Sequence, residues 1–290
     1  MNLYLLEKQD KRLESIIMGE ELKIEEAVRP RSSVMIIGLS GWGNAGEVST
    51  FTVRYLIDKL GAERIGKVSS EGFYNYQIQR PIVSIKGGII ESYNPPTNEL
   101  YYCESKAGGD GEISLILLLG SEPHLNWPRY AQTLLKLAER LNVKRIYTIG
   151  GYLADVDHES EPHITATTNN SNLTEELKRA EVKLTDYTGP TSIYSEVLWQ
   201  AKRKGLDVIS LWCAVPIYVR GPYPKAAYHV LRKLLHLIGI KLDLRDLKRK
   251  AVSSEVQITA EAMSDPELRR LVESLRRQRA LLEKEPSYMI

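Results

Sequence analysis

Cysteine and phenylalanine are scarce, two of each in 290 residues, and histidine occurs only five times. Two cysteines in distant segments, Cys103 and Cys213, cannot build a disulfide framework, and they point to a reducing compartment. Nor do they make a Cys-rich zinc site, which draws on close Cys/His pairs. An excess of charge is missing too. The chain sets 39 Lys and Arg against 37 Asp and Glu, a formal charge of +2. That is too small to argue for nucleic acid or a membrane surface as partner. Long apolar runs are absent: the longest, from Ile113 to Leu119, falls far short of the roughly 20 residues that span a bilayer. Residues Met1 to Asp10 carry no basic region, apolar stretch or small-residue cleavage site, so no signal peptide is expected. The expectation is a soluble, cytoplasmic protein.

What remains is ordinary for a globular chain, 43% hydrophobic and 26% charged. Val34 to Leu39 is a fully apolar run, the mark of a strand buried on both faces. A glycine-rich turn, Gly41 to Gly46, follows it. Val48, Phe51, Tyr55, Leu56 and Leu60 then share one side of a helix closed by Gly61, and Arg64 to Val68 reads as the next strand. This is a βαβ unit. Ile82–Lys86, Ile89–Tyr93 and Leu100–Cys103 read as short strands divided by Gly87-Gly88 and by Asn94-Pro-Pro-Thr-Asn98, an antiparallel meander inserted into the α/β pattern. Alternation resumes with strands at Ser114–Leu119, Arg145–Ile149, Ile164–Thr168 and Val208–Cys213. Helices are expected after Pro128, near 172–181, at 191–204 and at 225–238. Ser264 to Glu267 reads as a capping box, with Pro266 just inside the helix start. Leu268, Leu271, Leu275 and Leu282 then form a narrow apolar stripe. The division expected is an α/β domain over residues 1–245, with its core at about 30–245, and a helical extension with a short tail over 246–290.

Gly41-Trp-Gly-Asn-Ala-Gly46 fits the pattern G-x-G-x-x-G between a strand and a helix, the setting in which glycines admit a pyrophosphate to a helix N-terminus. Three residues oppose that use. Trp42 fills the turn, Glu47 opens the helix with a charge that repels phosphate, and Glu71 is poorly set at its strand end for a ribose. The stretch fails as a P-loop, since Glu47 and Val48 stand where Lys and Ser/Thr belong. It fails as a nucleophile elbow as well, because Trp42 stands where the second glycine is needed. A tight structural turn lining a cleft is the reading adopted. The cleft candidates are Gly41, Trp42, Gly43, Asn44, Gly46, Glu122, Gly150 and Gly151, which an open parallel sheet collects at the carboxyl ends of its strands. A small-ligand or nucleotide-binding enzyme using this cleft is the alternative.

Asp155, Asp157, His158, Glu161 and His163 form the densest set of metal-capable side chains, but their order matches no ligand motif. No catalytic set emerges, and neither a metal nor a cofactor is expected.

Four segments, Leu39–Gly46, Leu117–Pro123, Thr148–Tyr152 and Gly189–Ile193, together resemble archaeal members of the proteasome assembly chaperone 2 family, over roughly residues 30 to 245. The resemblance implies a three-layer α/β/α sandwich with a mixed, mostly parallel sheet of the phosphorylase/hydrolase-like kind. It also implies homo-oligomers and a non-enzymatic role in binding the α subunits of the 20S proteasome. Such chaperones dock through a terminal hydrophobic–tyrosine–any tripeptide. Here Tyr288 is followed by Met289 and Ile290, so the pattern is displaced by one residue.

Overall fold

In the computed structural model, residues 16–18, 22–24, 28–106 and 112–282 are described. Tyr288, Met289 and Ile290 lie outside them. The strands are β1 (Ile16–Met18), β2 (Leu22–Ile24), β3 (Ser33–Ser40), β4 (Glu63–Val68), β5 (Ile82–Lys86), β6 (Ile89–Asn94), β7 (Asn98–Lys106), β8 (Glu112–Ser121), β9 (Val143–Ala154), β10 (Ile164–Thr168), β11 (Lys183–Leu184) and β12 (Asp207–Pro216). The helices are α1 (Val48–Leu60), α2 (Trp127–Arg140), α3 (Thr174–Arg179), α4 (Ile193–Lys204), α5 (Pro224–Ile238), α6 (Arg245–Ser264) and α7 (Pro266–Leu282).

Ten strands form one sheet in the order β1-β2-β4-β7-β8-β3-β9-β12-β10-β11. Its centre, β8-β3-β9-β12, is parallel. Followed through the pairings, β1, β3, β4, β8, β9 and β12 run one way and the other four strands run the opposite way. The central strands are apolar throughout because both faces are covered. Ile36 of β3 packs with α1, α3, α5 and α6, whereas Met35 and Ile37 pack with α2 and α4. The fold is therefore a three-layer α/β/α sandwich. Each fully buried Ile or Leu of this sheet contributes roughly 1.5–3 kcal/mol by leaving water.

Two expectations are adjusted. The strand after α1 does run parallel to β3, but β7 and β8 lie between them. The meander divides: β5 and β6 make a separate two-stranded sheet, and β7 enters the main one. Pro95 and Pro96 explain the division, since they carry no N–H and a ladder cannot continue through them.

Helix boundaries follow local chemistry. Gly61, Gly205 and Gly239 close α1, α4 and α5 in the left-handed conformation. At the α6–α7 junction the cap is Asp265 rather than Ser264. Its Oδ1 accepts from the N–H groups of Glu267 (2.8 Å) and Leu268 (3.2 Å). Ser264 still belongs to α6 and donates to the Glu261 carbonyl. An N-cap is typically extended, as Asp265 is at φ −105° and ψ 113°.

Candidate functional site

The carboxyl ends of β3, β8, β9 and β12 share one edge of the sheet, and all four sequence segments of the resemblance meet there. Glu122 ties three elements together. Its N–H donates to the Ser40 carbonyl, while its carboxylate accepts from the Trp42 N–H (3.2 Å) and from the Ile193 N–H (2.8 Å) at the start of α4. The fourth segment joins through the Gly151 N–H, which donates to the Gly43 carbonyl at 2.8 Å.

An anion at a helix N-terminus is stabilised by unpaired amides and by the helix dipole. In this loop the anion is the chain's own Glu122. The oxygen acceptors that a phosphate would offer are already supplied. Asn44 is equally engaged: its Oδ1 accepts from the Thr50 N–H and its Nδ2 donates to Thr50 Oγ1, both at 3.1 Å, which fixes the first turn of α1.

The glycines answer to close packing rather than to a ligand. A Cβ on Gly150 would stand 2.4 Å from the Trp212 ring, and one on Gly43 would stand 2.9 Å from it. On Gly151 a Cβ would meet the Ala45 carbonyl at 2.5 Å, and on Gly46 it would meet Tyr223 at 2.9 Å, where φ is already +57°. Trp212 thus takes the space above the loop, with its ring edge-on to Tyr194.

Beneath the loop lies a buried pair that the sequence did not announce. The β3–β9 ladder ends at Gly38–Ile149. The next amide, Leu39 N–H, donates to Ser49 Oγ and to Tyr194 OH, both at 2.9 Å, and the two hydroxyls lie 3.0 Å apart. Ser49 comes from α1 and Tyr194 from α4, so the two helical layers touch through the splay. Burial pushes the Tyr194 phenol up, and the hydrogen-bond partner of the Ser49 hydroxyl besides the Leu39 amide is this phenol. Asn98 plays a similar part nearby. It is fully buried, donates to the hydroxyls of Tyr74 and Tyr130, and accepts from the Ser121 N–H. Asn98 is legible only as the end of the Asn94–Asn98 turn, and Tyr194 stands between Ser192-Ile193 and Ser195-Glu196, so nothing local marks either as a buried polar centre.

The Asp155–His163 segment does other work. Among the described residues, no three His, Cys, Asp or Glu side chains are grouped to hold a metal ion. Asp157 is buried, accepts from Ser160 through its N–H and hydroxyl, and pairs with Arg279 of α7 at 2.9 Å. Glu159 pairs with Arg276 at 2.6 Å. His158 is fully buried; Tyr218 OH lies 2.8 Å from Nδ1 and Thr259 Oγ1 of α6 lies 2.9 Å from Nε2. Because Thr259 Oγ1 donates to the Glu255 carbonyl, it accepts from Nε2–H, and Tyr218 OH donates to Nδ1. That is the neutral ring, in keeping with the downward push of burial on its pKa. Lys225 completes the junction, reaching the carbonyls of His158 and Glu159 and the carboxylate of Glu255. The segment fastens α6 and α7 to the body. Glu161 pairs with His229 of α5 at 2.9 Å, and His163 contributes its carbonyl to the Ala214 N–H.

The strand-end edge exposes Trp42 (62%), Tyr152 (37%), Leu153 (57%) and Ile217 (43%) around this closed hydrogen-bonded centre. The model of the PAC2 family matches residues 38–262, from the end of β3 to near the end of α6. The chain belongs to the PAC2 family. A PAC2 family protein from Streptomyces avermitilis is 28% identical, with a TM-score of 0.74 over 83% of this chain and 99% of that one. The Mycobacterium tuberculosis proteasome-assembly chaperone homologue is 27% identical, with a TM-score of 0.73 over 82% of this chain and 99% of its own. Pyrococcus furiosus PbaB, an archaeal proteasome activator, shares the fold at 22% identity, with a TM-score of 0.66 over 83% and 99% of the two chains. No similar sequence is found among the curated proteins. Within the PAC2 match lie all of Gly41, Trp42, Gly43, Asn44, Gly46, Glu122, Gly150 and Gly151. No helix among the described residues is long and apolar enough to cross a membrane.

Proposed function

We propose that this PAC2 family protein is a non-enzymatic, self-associating, chaperone-like protein of the cytoplasm that binds the α subunits of a 20S proteasome. The observation that carries the reading is the rim of Trp42, Tyr152, Leu153 and Ile217 on a rigid scaffold. Exposed aromatic and aliphatic side chains held by packed elements suit a protein partner. The loop of Gly41, Gly43, Asn44 and Gly46, together with Glu122, Gly150 and Gly151, acts as the frame that holds this rim. The Trp42 amide meets Glu122, Gly43 and Gly150 meet Trp212, and beneath the loop the hydroxyls of Ser49 and Tyr194 meet each other. The segment Tyr288-Met289-Ile290 adds a second, tethered contact, in the manner of an apolar peptide entering a pocket.

The test is capture of 20S α subunits by the full chain, by a chain lacking residues 286–290 and by the Trp42→Ala/Leu153→Ala variant. The full chain binds, and each change weakens binding at least tenfold. Absence of binding by the full chain would sink the proposal. A thermal-shift series with nucleotides addresses the catalytic alternative, because a ligand at 100 times its Kd adds about 2.7 kcal/mol of stability. No shift is expected.

A further inference from the structure

Helix α6 has one side that the body of the molecule does not use. Arg249, Val252, Val256, Ala260 and Met263 recur every three or four residues and so share that side, with Lys248 beside them. Val252 is 56% exposed, Val256 64% and Met263 63%. Two open grooves follow one another along it, one lined by Val252, Val256, Thr259 and Met263, the other by Lys248, Arg249 and Val252. The side is thus basic at one end and apolar along the rest. Among the described residues, Lys248 and Arg249 meet no carboxylate, whereas Arg245 pairs with Asp243 at 2.7 Å.

Helix α7 turns back beside α6 and carries the chain toward this basic end. The carboxylate of Glu159 accepts from Arg276, and its carbonyl accepts from Lys225, which pairs with Glu255 at 2.7 Å. Arg276 and Glu255 are joined through one loop, and they stand almost equally far in sequence from Asp265 at the junction. By the same count Leu282, where α7 ends, comes level with Lys248. The residues that follow are Glu283-Lys-Glu-Pro-Ser-Tyr-Met-Ile290. Fully extended they reach about 26 Å, close to the rise of about 27 Å that α6 makes from Arg245 to Met263. In an extended chain Glu283 and Glu285 fall on one side and Lys284 on the other. Two carboxylates are therefore followed by three apolar side chains, the order that α6 presents from Lys248 to Met263.

We propose that residues 283–290 dock on α6 of their own copy, with Glu283 and Glu285 at Lys248 and Arg249, and with Tyr288-Met289-Ile290 along Val252, Val256 and Met263. The occupant follows from size as well as from charge. The apolar stripe offers on the order of 300 Å², well short of the ~800 Å² that each partner gives to a standard interface. Two free copies would gain little from it. A segment tethered a few residues away meets the same stripe at millimolar effective concentration, and a small contact is then enough. One consequence rests on the reading above: the tail must leave α6 before it can enter a proteasome pocket.

Thiol labelling tests the docking, since Cys103 and Cys213 are buried. In a Val256→Cys chain, removal of residues 286–290 should raise the rate of reaction with a bulky maleimide about tenfold. Lys248→Glu/Arg249→Glu should raise it about threefold, and a Lys202→Cys chain, labelled on α4, should respond to neither change. A rate at position 256 indifferent to the removal would overturn the proposal. In Val256→Cys/Met289→Cys, mild oxidation should consume both thiols within one chain. A disulfide-linked dimer would overturn the placement on the same copy. That oxidised chain should bind 20S α subunits about tenfold more weakly than its reduced form, and equal binding would overturn the consequence for the proteasome. A full chain that binds no α subunit in either form would sink the proposed function and leave the labelling result intact.

Discussion

Trp212 occupies the volume that two glycines leave open, and this makes Gly150 a sensitive position. The variant Gly150→Ala must displace the indole, so it should lose about 1–3 kcal/mol of stability and several degrees in Tm. A double-mutant cycle with Trp212→Leu should show coupling between the two positions by calorimetry. Glu122 makes a second point at the same scale. In Glu122→Ala two amides lose a charged acceptor, a cost of about 1.5–3 kcal/mol. Added inorganic phosphate should then stabilise the variant more than the unaltered chain, since it can take the place of the missing carboxylate. Cys103 and Cys213 are predicted to stay silent toward a thiol reagent until the chain unfolds, because burial raises both thiols, Cys103 to about 11. The sequence made the glycine pattern legible but assigned the obstruction to Trp42, whose side chain is 62% exposed, whereas the ring against Gly43 and Gly150 is that of Trp212. It left Trp212 unread, since a tryptophan gives no sign of the glycine it covers from another strand.

The α6–α7 helices are fastened through a short loop whose charges make the attachment sensitive to acid. His158 is neutral, its pKa lowered first by burial, while Glu159, Glu255 and Asp157 pull it upward and Arg276 pulls it down. Its folded pKa therefore lies below its unfolded value, so the unfolded chain binds more protons below about pH 6.5 and stability declines as pH falls through that range. Asp157 follows at lower pH. Burial works to raise its pKa, but Ser160, Arg279 and the Glu159 amide outweigh it and hold it low, so its stabilising share is lost only below the ordinary carboxylate range. The protection of α7 amides, relative to their intrinsic exchange rate at each pH, should thus fall on acidification from pH 7 to 5, and Arg279→Ala should lower it at neutral pH. No change in either case would show that α7 is held by apolar packing alone. We propose that residues 246–290 act as an extension on the domain of residues 1–245, with this loop as the fastening. At this scale the sequence was informative about existence and poor about boundaries. Val48, Tyr55 and Leu56 gave α1 and Tyr130, Leu134 and Ala138 gave α2, because a 3.6-residue apolar period survives any tertiary context. The Asp155–His163 segment could not be assigned from its order, since its partners, Arg276 and Arg279, are more than a hundred residues away.

For the whole molecule, the apolar strands and glycine turns made the α/β class legible, and the combined motifs of four segments pointed to the PAC2 family that the match over residues 38–262 establishes. Strand order was not legible. Nothing local says that β7 and β8 part β4 from β3, because non-neighbour pairing is decided by the packing of the complete sheet. The antiparallel insertion shows the same limit: Pro95 and Pro96 marked a break, but not which strand would leave the sheet. One property of the finished sheet reaches further. Among the described residues it ends in β11, two residues long, on one side and in β1, three residues long, on the other. Such stubs offer few free backbone donors and acceptors, which blunts pairing of one copy's main sheet with its neighbour's. Edge-to-edge growth is thereby left to the separate β5–β6 sheet, whose strands are longer and, among the described residues, pair only with each other, so charge placed on these two strands should lower any thioflavin-positive aggregation of a concentrated solution.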